Sequence, residues 1–225
     1  MKFNRIAVFA LIAIFCGVSA CSKSENDGAS AQAKKEDAFV ERGEGNVLSS
    51  GAFGVSVAIP DAWYSMSFEE LNALVDEGSD VATAGNDQLA AVVEASEKNS
   101  FNLFGVLKYE TGSPVDENPN VMGMAEKIAF QPGIKRGTDY FFHVKKLMQQ
   151  SSLTLEFEEE YKTRMIDGVE FDQMDLTQTI NGIAMGQSYL AARNGDFMYL
   201  FIQTYISEEG QQETSAVVDK IKLDW

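Results

Sequence analysis

The chain has 225 residues, 34 of them acidic and 18 basic, for a net charge of −16 and a pI near 4.4. Such a surface repels phosphate backbones and anionic headgroups, which excludes nucleic acid as an expected partner and any membrane attachment that relies on overall charge. A length of this order fits one medium domain with appendages, and 45% hydrophobic residues suffice for a packed core.

Residues 1–20 have the three parts of an exported leader: a basic start (Lys2, Arg5), an apolar stretch from Ile6 to Val18, and small residues before Cys21. The apolar stretch falls short of the roughly 20 residues that a permanent span requires. Val18-Ser19-Ala20-Cys21 resembles the lipobox of bacterial lipoproteins, in which the cysteine receives diacylglycerol and becomes the new N-terminus. Cys16 is the rival, but Phe15 precedes it where the motif wants a small residue. Plain leader cleavage after Ala20 is the alternative. The lipoprotein rule further implies sorting to the outer membrane of a diderm bacterium, since Ser22 stands where an Asp would retain the protein at the inner membrane. Two or three acyl chains anchor stably, whereas one binds only marginally. With Cys16 lost in the leader and Cys21 acylated, the folded part is expected to hold no disulfide, thiolate nucleophile or cysteine metal site.

Residues 21–50 are rich in Ser, Gly, Ala, Asn and charge, and read as a flexible tether that reaches on the order of 30 Å. Residues 51–225 read as a single domain. Phe53, Val55, Val57 and Ile59 alternate, so Ala52–Ile59 is the first strand, stopped by Pro60-Asp61. Ser67 opens a helix with Glu70 completing a capping box and Met66 and Leu71 at staple positions. A second helix is predicted over Asp87–Glu97, with Leu89, Val92 and Val93 inward. Phe101–Tyr109 and Val121–Phe130 read as an antiparallel pair, joined by a link that carries Pro114, Asp116, Glu117 and Pro119. Thr138 is the expected cap of a helix to Gln150, with Phe141, Val144, Leu147 and Met148 on one face.

The stretch Tyr161–Tyr205 writes three hairpins in a row. Asp167-Gly168, Asn181-Gly182 and Asn194-Gly195 suit type I′ turns, whose two central residues need positive φ. They separate strands Leu153–Ile166, Val169–Ile180, Ile183–Arg193 and Phe197–Tyr205. The last has Phe197, Tyr199 and Phe201 on one face and Met198, Leu200 and Ile202 on the other, which marks a central strand covered on both sides. Ser207 caps a final helix that ends at Trp225, with Val217, Val218 and Ile221 inward. This order predicts an α+β fold: an antiparallel sheet of about six to seven strands covered by helices in an α/β/α sandwich.

The motifs FGVSVAIPDAW (Phe53–Trp63), PGIKRGTDYF (Pro132–Phe141), IDGVEFDQMDL (Ile166–Leu176), GQSYLAARNGDFMYLFIQTY (Gly186–Tyr205) and VVDKIKL (Val217–Leu223) occur in an order that resembles the PsbP-like superfamily. Within it, the chain is similar to DcrB-like bacterial envelope lipoproteins. The resemblance implies a non-enzymatic binding or assembly module with no shared catalytic motif, and it leaves the partner open.

The residues themselves offer little chemistry. His143 is the single histidine and has no Ser or Cys partner in a recognisable spacing, so no catalytic residue is assigned. Glu158-Glu159-Glu160 reads as a charged strand edge, since side chains alternate across a strand. Asp116, Glu117 and Asn118 lack the spacing and central glycine of a calcium loop, so no metal site is assigned and no cofactor is expected. Trp63, Tyr189 and Tyr199 are the candidates to line a ligand groove, against the ordinary alternative of aromatic core packing. Two functions follow. One is an envelope lipoprotein acting as an interaction or assembly module, with a basic-surfaced protein as partner. The other is a carrier for a lipid or small apolar ligand.

Overall fold

Val57, cross-strand from Leu48 and Ile221, and Val55, cross-strand from Ser50 and Leu223, begin the architecture. A computed structural model describes residues 41–42 and 46–225. The leader, Cys21 and residues 22–40 lie outside the described residues. Strands β1 (Glu41–Arg42), β2 (Val47–Ser50) and β3 (Val55–Ala58) pair antiparallel in sequence order, and β12 (Ile221–Leu223) joins the free side of β3. Two expectations change here. The stretch up to residue 50, read as tether, contributes β2, and Leu48 is buried in the core. The C-terminal helix stops at Val218, and Ile221–Leu223 is a strand; Ile221 continues the helical spacing of Val217 and Val218 but takes its partner from β3.

The main sheet has eight antiparallel strands. In spatial order they are β4 (Tyr64–Ser65), β5 (Ser100–Leu107), β6 (Asn120–Lys127), β11 (Phe197–Tyr205), β10 (Ile183–Asn194) and β9 (Val169–Ile180), with β7 (Thr154–Phe157) and β8 (Lys162–Ile166) both on the outer side of β9. The expected single strand Leu153–Ile166 is thus two. Phe157 faces Leu176 and Lys162 faces Gln173, so residues 158–161 stand opposite only Met174 and Asp175 and must loop out. Glu158, Glu159 and Glu160 occupy that exposed excursion and not a strand edge.

The turns follow from their residues. Asp167 and Gly168 have φ of 47° and 84°, and Asn181 and Gly182 have 52° and 81°, as a type I′ turn demands. The third turn is centred one residue later than expected. Asn194 pairs with Phe197, and Gly195 alone has positive φ (58°), the pattern of a type II′ turn.

Helices α1 (Phe68–Thr83), α2 (Asp87–Glu97) and α3 (Gly137–Met148) cover one face of the main sheet, and α4 (Glu208–Val218) lies on the other with the small sheet. Strand β11 shows why. Met198, Leu200 and Ile202 pack with Leu71, Leu89, Phe141 and Val144 under the three helices. Tyr199 and Phe201 pack with Val57, Val217 and Ile221 on the opposite side. The fold is α+β, and its second cover is a four-stranded sheet plus one helix where helices alone were expected. Burial of two apolar faces, at roughly 25 cal/mol per Å² of apolar surface, is the main stabilising term.

Candidate interaction site

The link between β5 and β6 was the acidic segment of the sequence, and the structure gives its side chains definite tasks. Asn118 closes the base of the loop: its Oδ1 accepts from the Tyr109 amide (2.9 Å) and its Nδ2 donates to the Tyr109 carbonyl (2.8 Å). Glu117 reaches across to the start of α4. Its Oε1 accepts from the Ile206 and Ser207 amides (2.7 and 2.9 Å), and its Oε2 accepts from the Ser207 hydroxyl (2.6 Å). Ser207 Oγ in turn accepts from the Gly210 amide, capping the helix. A carboxylate at a helix N-terminus is also favoured by the helix dipole. Residue 210 must be glycine for this, because a Cβ there would stand 2.1 Å from Glu117 Oε1.

Burial pushes the Glu117 carboxyl up, but the Ser207 and Ile206 hydrogen bonds and the Lys108 charge outweigh it and hold the group below its ordinary value. Lys108 bonds both carboxylate oxygens of Glu213 (2.7 and 2.9 Å), an ion pair that raises the lysine's pKa. The loop and α4 are thereby welded along one side, leaving a cleft of about 310 Å³. Asp116 and Glu209 are exposed at its rim, and Tyr109 (40% exposed) and Val115 (39%) supply apolar surface beside them. This arrangement offers two carboxylates and two apolar contacts on a fixed frame. It suits a basic, partly apolar protein segment better than a small apolar molecule.

The other sequence candidates are placed as follows. Trp63 (8% exposed) and Tyr199 (4%) belong to the core between the two sheets, where Tyr199 donates to the Phe53 carbonyl and lies 4.3 Å from the Trp225 ring. Tyr189 (1%) is on the opposite face, under the helices, donating to Gln187 Oε1, and its burial raises its pKa. The structure therefore does not bring the three rings into one groove. His143 is exposed on α3 beside the Phe142 ring. Among the described residues, no group of three or more His, Cys, Asp or Glu is placed to hold a metal ion, and no helix is long and apolar enough to cross a membrane.

Lys108, Tyr109, Val115, Glu209 and Glu213 were not singled out from sequence. Two prolines and two acids mark the loop and Ser207 marks the helix, but nothing in the sequence pairs the two across about 90 positions.

No protein-family model matches the chain, and no curated protein matches it either. Several solved structures are similar to it at low identity. LpqN of Mycobacterium tuberculosis, described as involved in cell envelope biogenesis, is 9% identical, with a TM-score of 0.37 over 80% of this chain and 86% of LpqN. The cyanobacterial PsbP of Synechocystis sp. PCC 6803 is 11% identical, with a TM-score of 0.45 over 80% of this chain and 94% of that one. A protein of Bacteroides thetaiotaomicron VPI-5482 is 11% identical, with a TM-score of 0.43 over 81% of this chain and 50% of its own. Likenesses this remote leave function to be read from the site.

Proposed function

We propose that this chain is a PsbP-like, DcrB-like envelope lipoprotein, anchored through lipid on Cys21, whose domain works as a non-enzymatic interaction or assembly module facing the periplasm. The observation that carries the interaction role is the welded cleft between the β5–β6 loop and α4. Its frame carboxylate and its ion pair are already satisfied internally, while Asp116 and Glu209 stand outward beside Tyr109 and Val115. A pre-organised surface loses little entropy on binding, and rim carboxylates steer a basic partner.

The test takes the native protein, gently extracted from its own membrane, and records its native mass with and without the double change Asp116→Lys and Glu209→Lys. Co-migration with a second protein at fixed stoichiometry, lost in the reversed variant, is the expected result. A complex indifferent to the reversal removes the cleft from the proposal, and a small discrete mass increment in place of a protein favours a carrier. Cys21→Ala is expected to release the chain from membranes; continued attachment would sink the lipid anchor.

A further inference from the structure

Buried polar side-chain atoms without partners are confined to one layer of the molecule. Among the described residues they are both amide atoms of Gln178 and the Oδ1 of Asn120. Gln178 is 0% exposed and Asn120 2%. Side chains alternate across a strand, so Gln178 shares the face of Met174 and Leu176, and Asn120 that of Met122 and Met124. Both lie on the face under the helices. Asn120, Thr204 and Gln187 are successive cross-strand partners on β6, β11 and β10, and Gln178 of β9 is diagonal to Gln187, opposite Met185. A polar row thus crosses the sheet near one end. Two bonds within it are long: Gln187 Nε2 donates to the Thr204 hydroxyl at 3.4 Å, and Tyr189 donates to Gln187 Oε1 at 3.3 Å.

Helix α1 roofs this row. It starts where the Met66 amide donates to the Gly105 carbonyl of β5, and it ends where the Ala82 carbonyl accepts from the Ser152 amide, just before β7. From β5 to β7 is five strand spacings, about 24 Å, and the 16 residues of α1 make a helix of about that length. The buried side of α1 is Phe68, Leu71, Leu74 and Val75 in its first half. In the second half, which reaches β9 and Gln178, it is only Gly78 and Ala82. The core beneath is soft. Six methionines belong to it, Met148 and Met174 among them, and a seventh, Met185, is buried opposite Gln178. Among the described residues, the core between the two sheets has none. Unbranched thioether side chains adapt to a guest as branched ones do not.

We propose that the layer between the second half of α1 and the sheet binds an uncharged single-chain amphiphile, its head held by Gln178 and its chain lying among the methionines. A primary amide offers two N–H donors and a carbonyl acceptor, so it reads a head that both accepts and donates, such as the hydroxyls of a glycerol ester. The row contains no charged side chain, and a buried charge without a partner is costly, which selects against ionised heads. Mostly apolar walls with a few placed polar groups are the usual make-up of a small-molecule site. The way in is the sheet end. The exposed Asn181-Gly182 turn begins three residues after Gln178, and exposed apolar residues stand on both elements there, Val81 on the last turn of α1 and Ile183 after the turn. The inference goes beyond the function proposed above and uses none of the cleft residues, so either can fail alone.

The test titrates the full chain, held in phosphatidylcholine nanodiscs and labelled with carbon-13 at its methionine methyls, with monooctanoylglycerol and separately with octanoate. The glycerol ester is expected to shift the Met148, Met174 and Met185 methyls saturably and to leave that of the exposed Met165 in place. Octanoate should need more than about ten times the concentration to do the same. Gln178→Leu should weaken binding of the ester about tenfold, through the lost hydrogen bonds. The same change should raise the melting temperature of the chain without ester, because an apolar group of similar size replaces an unpartnered buried amide. The inference is overturned by the absence of a saturable shift, by equal shifts at Met165, by octanoate binding as tightly as the ester, or by unchanged affinity in Gln178→Leu. A lower melting temperature for Gln178→Leu also overturns it, since water alone would then already satisfy the amide.

Discussion

The first turns of α1 and α3 solve one problem from different distances. Each helix begins with amides that have no partner within the helix. At α1 the partners lie within four residues: Ser67 Oγ accepts from the Glu70 amide (3.2 Å), and Glu70 Oε2 accepts from the Ser67 amide (2.7 Å). Hydrogen bonds from the Ser67 amide, Tyr64 and the Ser67 hydroxyl outweigh burial and hold the Glu70 carboxyl below its ordinary value. At α3 Asp139 serves the Lys135 and Arg136 amides, but Thr138 donates to Asp172, which belongs to β9. Asp172 also takes two hydrogen bonds from Arg136. A local cap starts a helix. A remote cap starts it and also fixes where it docks, because the carboxylate is part of another layer. Helix α4 uses both devices, Ser207 from within and Glu117 from the β5–β6 loop.

This contrast can be broken by removing the caps one at a time. Asp172 is 4% exposed and serves both a guanidinium and an amide, while Arg136 itself reaches solvent and keeps Glu170, so Asp172→Ala should cost most, about 3 kcal/mol in urea unfolding, chiefly from the lost bonds to the buried carboxylate. A loss under about 1 kcal/mol would mean that water replaces the carboxylate and that α3 is seated by its apolar face alone. Glu117→Gln should cost about 2 kcal/mol, since it weakens three charge-assisted hydrogen bonds. Its pH dependence has a definite sign. The folded group titrates below its ordinary value of 4.5, so its contribution is complete above that value and disappears as pH falls through the lowered one. The difference in melting temperature between Glu117→Gln and the unaltered chain should therefore close on acidification. A gap that persists in strong acid would show that geometry, not charge, is the stabilising element. Ser67→Ala should have the smallest effect, about 1 kcal/mol, and should leave α2 and α3 as protected from amide exchange as before.

The same distinction governs what could be read from the chain. The α1 capping box, two of the three hairpin turns and the two-faced β11 are local patterns, and each has the expected geometry. At α3 the expected cap, Thr138, proves to be inside the first turn, after Arg136; its amide is spoken for by Asp172, and no local pattern reveals that. Val217, Val218 and Ile221 fit a helical period, but Ile221 belongs to a strand because β3 has an unpaired edge there. Trp63, Tyr189 and Tyr199 were legible as large aromatic residues, but the sheet face each one takes was not. For the cleft, the acidity of the β5–β6 link was plain, whereas the direction of Glu117 depends on an amide in a distant segment.

The small sheet joins strands from opposite ends of the described domain, with β3 held between β2 and β12. A chain made from its N-terminus presents Val55 and Val57 long before Ile221 and Leu223 exist to pair with them. Until then the far side of β11 has only part of its cover, and an edge strand stands open to pair with any other chain nearby. Closing a contact between such distant segments is slow, because the intervening loop must be gathered first. Completion of this layer is thus timed by biosynthesis, and the interval before it is when the protein most needs a holding chaperone.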